Sequence, residues 1–154
     1  MSENYQRMFL YTIGFTKKSA EQFFTRIKYF NIKLLVDIRL KNNTQLAGFT
    51  KKNDLKYFLE QICGCQYEHC PEYAPTKEIL SSYKHKKITW HEYEKEYTRL
   101  MQERGSIKNF ISRFDSLYET VCLLCAEPQP DKCHRRLFAE MIAAELPDII
   151  ITHI

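Results

Sequence analysis

The chain has 154 residues, of which 44% are hydrophobic and 27% charged, and its formal net charge at pH 7 is +4. This length suits one domain, and the composition excludes wholesale disorder and fibrous repeats. The mild positive charge permits a small anionic or nucleotide-like ligand, and it supports a nucleic-acid partner only weakly. Because no apolar run approaches the roughly 18 residues of a membrane span, we expect no membrane partner. The composition indicates no particular oligomeric state.

Residues 1–7 are predicted to form a short N-terminal extension ahead of a single domain over residues 8–154. The extension lacks the basic start and apolar middle of a signal peptide, so we expect a cytoplasmic protein. The six cysteines are expected to be reduced thiols in that compartment. Their roles are therefore sought in metal binding, catalysis or the core.

The first half of the domain predicts strands that alternate with helices. Apolar runs at residues 8–13 and 33–38 indicate buried strands, the first closed by Gly14. Between these strands, Ser19 and Gln22 form a capping box at the start of a helix. A second helix is expected after a cap at Thr50, and Gly64 ends it.

The second half predicts a weaker strand over residues 65–69, followed by helices over 76–83, 89–104 and 106–114. Together these helices make an inserted helical segment at about 76–115. A clear strand follows over 120–124, and Asp131 is expected to cap a helix that begins near Lys132. Residues 148–153 supply the last strand.

Strands that alternate with helices predict parallel pairing, because each crossover requires a helix-sized connection. We therefore predict the α/β class, with a doubly wound, mostly parallel, five-stranded sheet. Ligands of such sheets bind beyond the carboxyl ends of the strands. The candidate residues at these ends are Thr16 after the first strand, Asp37 and Arg39 at the second, and Glu127 at the fourth.

The densest group of candidate ligand-binding residues surrounds the start of the last helix. If Asp131 caps this helix, its unpaired first-turn amides and positive dipole end favour an anion. Arg135 and Arg136 add planar, permanently charged donors suited to phosphate or carboxylate. The alternative is an ordinary solvated first turn, and we favour the anion site.

Two cysteines in the same segment are candidate catalytic residues. A positive field lowers the pKa of a nearby thiol, so Cys125 or Cys133 is a candidate thiolate nucleophile. His134 and Glu127 are then available as acid or base. The alternative is that these cysteines are buried core residues, since cysteine is among the most buried residue types.

Asp37 and Arg39 lie on one face of a strand end, because side chains alternate along a strand. They either bind a ligand, through ribose hydroxyls and an anion, or pair with each other, and the sequence leaves both alternatives open. No dinucleotide fingerprint or Gly-rich phosphate loop follows the first strand, so no cofactor is identified.

Four clustered residues, Cys63, Cys65, His69 and Cys70, invite a test for a metal site. They could share an ion only if the irregular stretch around them folds about it. We expect core or surface thiols instead, and we assign no metal ligands.

Several segments carry a recognisable pattern. They are Tyr11-Thr12-Ile13-Gly14, Val36-Asp37-Ile38-Arg39, and Leu124-Cys125-Ala126-Glu127 followed by Cys133-His134-Arg135-Arg136. Together they resemble the domain of unknown function 488 family. Gln45-Leu46-Ala47-Gly48-Phe49, Ala74-Pro75-Thr76-Lys77-Glu78 and Trp90-His91-Glu92-Tyr93-Glu94 are similar to one bacterial branch of it. The resemblance implies a compact α/β fold in an intracellular bacterial or phage-like setting, in a family without an established activity.

Three functions are compatible with these residues. The first, which we favour, is a hydrolase or transferase that acts on a phosphate-bearing, nucleotide-like substrate through the cysteine, histidine and glutamate site. The second keeps the anion site without a nucleophile, as a nucleotide-sensing or nucleic-acid accessory module. The third makes the cysteines a redox or metal-binding device.

Overall fold

Five strands form the centre of the molecule in the computed structural model, which describes residues 8–43, 47–115 and 117–154. The strands are β1 (Phe9–Gly14), β2 (Leu34–Asp37), β3 (Gln66–His69), β4 (Thr120–Cys125) and β5 (Ile150–His153). All neighbouring strands are parallel, and their order across the sheet is β3-β2-β4-β1-β5. The predicted five-stranded, mostly parallel α/β sheet is confirmed.

Six α-helices connect the strands within these described ranges. They are α1 (Ala20–Tyr29), α2 (Lys52–Phe58), α3 (Lys77–Lys84), α4 (Trp90–Arg104), α5 (Ser106–Phe114) and α6 (His134–Glu145). The capping box of Ser19 and Gln22 begins α1 as the sequence predicts. A π-helical turn over Leu59–Cys63 continues α2, and it ends at Gly64, whose φ of +60° favours glycine.

Helices cover both faces of the sheet, as a doubly wound fold requires. On the first face, Phe23 of α1 and Leu55 of α2 belong to one buried cluster with Leu124 of β4. On the second face, α3, α4, α5 and α6 contribute to another cluster, in which Phe138 of α6 and Val121 of β4 are buried. Side chains of β4 thus point alternately to the two faces, which is why that strand is buried throughout.

A crevice opens where β1 and β4 end side by side, with Gly14 in register with Cys125. The chain leaves β1 toward α1 on the first face and leaves β4 toward α6 on the second. Neighbouring parallel strands whose connections turn to opposite faces leave space beyond their carboxyl ends. The topology therefore predicts that a ligand binds at this edge of the sheet.

Two helices begin later than the sequence predicts. α6 begins at His134 with Cys133 as its N-cap, because the Cys133 amide donates to the Pro130 carbonyl and holds the preceding residues in a turn. Asp131 therefore does not cap α6. Likewise Lys51, not Thr50, is the N-cap of α2, since residues Gly48–Thr50 form a 3-10 turn.

None of the helices in the described part of the chain combines the length and apolar character that a membrane span requires.

Gly14 allows the chain after β4 to approach the end of β1. A Cβ atom at this position would overlap the backbone carbonyl of Glu127 and crowd the guanidinium of Arg135. The carbonyl cannot retreat without losing the hydrogen bond that it accepts from that guanidinium. The missing side chain is therefore a requirement of the packing.

We expect Gly14→Ala to lower the free energy of unfolding by about 1–3 kcal/mol, the range for forcing one extra carbon into a packed site. Urea denaturation followed by circular dichroism measures this change. Gly48→Ala is the matched control, because a Cβ there meets no described atom within 4 Å. Equal urea midpoints for the two variants would contradict this account of Gly14.

Candidate anion-binding site

Arg135 lies in the first turn of α6, and its side chain is fully buried. Its Nε donates to the Thr12 hydroxyl at 3.1 Å, and its Nη1 donates to the Glu127 carbonyl. Among the described residues no carboxylate forms an ion pair with it. Burial lowers the pKa of Arg135, but a guanidinium stays protonated in proteins. The site thus contains a fixed, uncompensated positive charge.

A cavity of about 440 Å³ lies beside this guanidinium, at the carboxyl ends of β1 and β5. Four cationic side chains line it, with one carboxylate side chain, that of Asp131, and the last residue, Ile154. The cations are Lys17, Lys18, Arg26 and Arg135. Such a concentration of one sign in a concave site attracts anions.

The pKa of Lys18 is lowered in this cavity. Burial lowers the pKa of its ammonium first, and the positive charges of Arg26 and Arg135 lower it further. An anion in the cavity would offset this repulsion and stabilise the protonated amine. Lys18 therefore shares the cavity with two other positive charges that act on it.

Thr12 connects Arg135 to His153, the last residue of β5. The Thr12 hydroxyl accepts from Nε of Arg135 and lies within hydrogen-bond distance, 2.5 Å, of Nδ1 of His153. Burial, and then the charge of Arg135, lower the pKa of His153. The ring is therefore neutral at pH 7. His153 lines the cavity as a neutral imidazole.

Asp37 and Arg39 pair with each other, which is one of the two alternatives left open above. Nε and Nη2 of Arg39 each donate to the carboxylate at 2.8 Å, and the Tyr67 hydroxyl donates to it at 2.6 Å. Nη2 also donates to the Thr50 carbonyl at 2.7 Å, and the guanidinium lies 5.1 Å from the centre of the Phe15 ring. Both charged side chains are buried. Their hydrogen bonds join β2 to β3 and to the turn before α2.

His134 is held by the neighbouring strand. Its Nε2 donates to the Ile38 carbonyl at 2.8 Å, beyond the end of β2. Burial lowers the pKa of His134 to about 4, and the charge of Arg135 acts in the same direction. The ring is therefore neutral at pH 7 and serves as a link between α6 and the sheet.

Cys125 and Cys133 meet just before the start of α6, next to His134 and Arg135 in the chain. Cys125 ends β4, and Cys133 precedes α6 with the extended backbone of an N-cap, so their sulfurs face each other and are paired. Nη1 of Arg135 lies 3.6 Å from Sγ of Cys125. The expectation of six reduced thiols is wrong for this pair, while the other four cysteines are free.

The remaining two candidates point elsewhere. Glu127 takes part through its backbone carbonyl, and its side chain is exposed. Arg136 forms an ion pair with Glu140 at 3.4 Å and lies 5.8 Å from the centre of the Trp90 ring. It also donates to the Asp131 carbonyl at 2.5 Å. Its guanidinium is thus engaged on the surface of α6.

The structure therefore brings two of the nine candidate residues, Thr16 and Arg135, to the cavity. Asp37, Arg39 and His134 instead make buried hydrogen bonds around the end of β2. Four basic residues of the cavity were not among the predicted site residues. They are Lys17, Lys18, Arg26 and His153. The rule of strand ends could have found three of these, since Lys17 and Lys18 follow β1 and His153 ends β5.

The cysteines near β3 lie in the core. Burial raises the pKa of Cys65 and of Cys70 to about 12, so both remain thiols. Across the part of the chain that the structure describes, no three side chains of His, Cys, Asp or Glu converge as metal ligands would.

The low pKa of His134 makes stability depend on pH. The unfolded chain takes up a proton near pH 6.5, and the folded chain takes it up only near pH 4. We expect the free energy of unfolding to fall as the pH drops between these values, by on the order of 3 kcal/mol. Urea denaturation at a series of pH values measures this loss.

His134→Gln retains a donor for the Ile38 carbonyl but cannot titrate, so we expect a flatter dependence on pH in this variant. His91→Gln changes an exposed histidine and serves as its control. The pKa of His153 is also lowered, and it adds the same pH dependence of stability to both variants and to the unmodified protein. Parallel pH curves for His134→Gln and the unmodified protein would refute the assignment.

Comparison with known proteins gives one finding. The family described as Domain of unknown function DUF488 matches residues 19–142, which run from the cap of α1 into α6 and include Arg135. Neither a curated protein nor a solved structure matches significantly. Because the match covers most of the chain, including β2, β3 and β4 in full, this protein belongs to the DUF488 family.

Proposed function

We propose that this protein binds a small phosphate-bearing, nucleotide-like ligand in the cavity beside Arg135. The observation that carries the proposal is a fully buried guanidinium, without a carboxylate partner among the described residues, at the wall of a cavity lined by three further cations. A buried charge without an opposite charge is costly to maintain. A bound phosphate would supply the missing negative charge.

The cations are well placed to bind from several directions. Lys17 and Lys18 follow β1, Arg26 lies in α1, and Arg135 begins α6, so they come from three separate parts of the chain. Hydrogen bonds to Thr12 and the Glu127 carbonyl fix the orientation of the Arg135 fork before any ligand arrives. Such preorganised donors suit phosphate oxygens and reduce the entropy lost on binding.

The size of the cavity and its neutral donors favour an organic phosphate over inorganic phosphate. A volume of about 440 Å³ falls within the range of about 300–1,000 Å³ for small-molecule sites. Thr16 and His153 add a hydroxyl and an imidazole to the lining. These groups can hydrogen-bond a sugar or base attached to the phosphate.

We propose binding, not turnover, as the principal function. Cys125 and Cys133 are paired and no more than 2% exposed, and His134 is hydrogen-bonded to Ile38 instead of to a sulfur. Glu127 points its carboxylate to solvent. The hydrolase or transferase alternative would require one sulfur to be released and exposed to the ligand.

Lys18→Gln should weaken binding of adenosine 5′-monophosphate about tenfold. A hydrogen bond to a charged group contributes about 1.5–3 kcal/mol, and the change removes one such donor from the cavity. Arg26→Gln should act in the same direction for the same reason. Isothermal titration calorimetry at low ionic strength measures these affinities, because salt screens exposed charges.

Lys87→Gln is the matched control, since Lys87 is exposed beyond the end of α3 and we expect less than a twofold effect. Titration with adenosine tests the nucleoside part of the ligand alone, and titration with inorganic phosphate tests the phosphate part alone. Adenosine binding as tightly as its monophosphate, or equal losses in Lys18→Gln and Lys87→Gln, would overturn the proposal.

A further inference from the structure

One wall of the cavity is a loop whose two ends carry the paired cysteines. Cys125 lies before the loop and Cys133 after it, eight positions apart in the chain. The loop residues Pro128, Gln129, Pro130 and Asp131 line the cavity. A bond between the two sulfurs would therefore close this wall into a small ring and restrict its conformations.

Arg135 provides a second connection between the cysteines and the cavity. Nη1 lies 3.6 Å from Sγ of Cys125 and donates to the Glu127 carbonyl, and the same side chain lines the cavity. The state of the pair therefore bears on a side chain that lines the cavity.

The spacing of the backbone makes the state of the pair matter for the position of α6. The Cα atoms of Cys125 and Cys133 are 7.7 Å apart, and disulfides usually join Cα atoms about 4.4–6.8 Å apart. The paired sulfurs connect the end of β4 to the start of α6 across this separation. Arg135 follows Cys133 by two residues and would move with it.

We propose that Cys125 and Cys133 form a reversible disulfide that regulates the cavity, with oxidation tightening the binding of phosphate-bearing ligands and reduction loosening it. This inference rests on the proposed function. This direction follows because the disulfide restrains the loop that lines the cavity, so less conformational entropy is lost when a ligand binds. The other four cysteines take no part.

The oxidation balances with a small disulfide, such as oxidised glutathione, as the oxidant. A thiolate of the pair attacks one glutathione sulfur, forms a mixed disulfide and releases one molecule of reduced glutathione. The second cysteine then attacks its partner's sulfur and releases the second molecule. The protein loses two electrons and two protons. Cys125 is 1% and Cys133 2% exposed, so the loop must open locally to admit the oxidant.

The test uses the whole protein equilibrated with mixtures of reduced and oxidised glutathione. Alkylation in denaturant followed by mass spectrometry counts the thiols, and we expect six in the reduced form and four in the oxidised form. Calorimetric titration of each form with adenosine 5′-monophosphate should show binding about fivefold or more tighter after oxidation, the lower bound of a typical allosteric coupling. This comparison requires no variant.

Variants then assign the effect to the pair. The double change Cys125→Ser and Cys133→Ser should make affinity independent of the glutathione ratio. Cys63→Ser alters a free, half-buried cysteine and should leave the response intact. Six thiols at every ratio, or equal affinities of the two forms, would overturn this inference while leaving the binding function standing. Absence of binding in both forms would overturn the proposed function and this inference together.

Discussion

The buried guanidinium of Arg135 determines the architecture around it. Removing a positive charge from water is costly, so the surrounding chain must supply hydrogen-bond acceptors, here the Thr12 hydroxyl and the Glu127 carbonyl. That carbonyl can reach the guanidinium only because Gly14 carries no side chain. The lowered pKa values of Lys18 and His153 both include the charge of Arg135 among their causes. Arg135 thus contributes to the electrostatics of both neighbouring titratable groups in the cavity.

Two consecutive residues at the start of α6 direct their side chains to opposite sides of β4. His134 reaches β2 and makes a buried, neutral link, whereas Arg135 reaches β1 and lines the cavity. The paired sulfurs lie at the same turn. One helical turn therefore anchors α6 to strands on both sides of β4 and places a buried positive charge at the cavity on one side only.

Periodicity and capping predicted most elements, because buried strands and amphipathic helices leave strong local signals. The start of α6 could not be predicted in this way, since the turn from Pro130 to Cys133 prevails over the capping preference of Asp131. Thr16 was predicted as a strand-end residue and Arg135 as a helix-start residue, but His153 joins them only because β5 lies beside β1. Strand order is a long-range property that no local pattern encodes. The choice between pairing and ligand binding by Asp37 and Arg39 likewise required side-chain geometry.

The position of β4 in the middle of the sheet governs how the chain can assemble. β1 pairs only with β4 and β5 among the strands, and Phe9 lies opposite Thr120, so the first strand stays without a sheet partner until most of the polypeptide exists. Contacts between such distant parts of a sequence slow folding. During synthesis, β1 and α1 are therefore made long before the strands that cover their apolar side chains. The centre of the sheet cannot be completed until β4, which lies between β1 and β2, has been made.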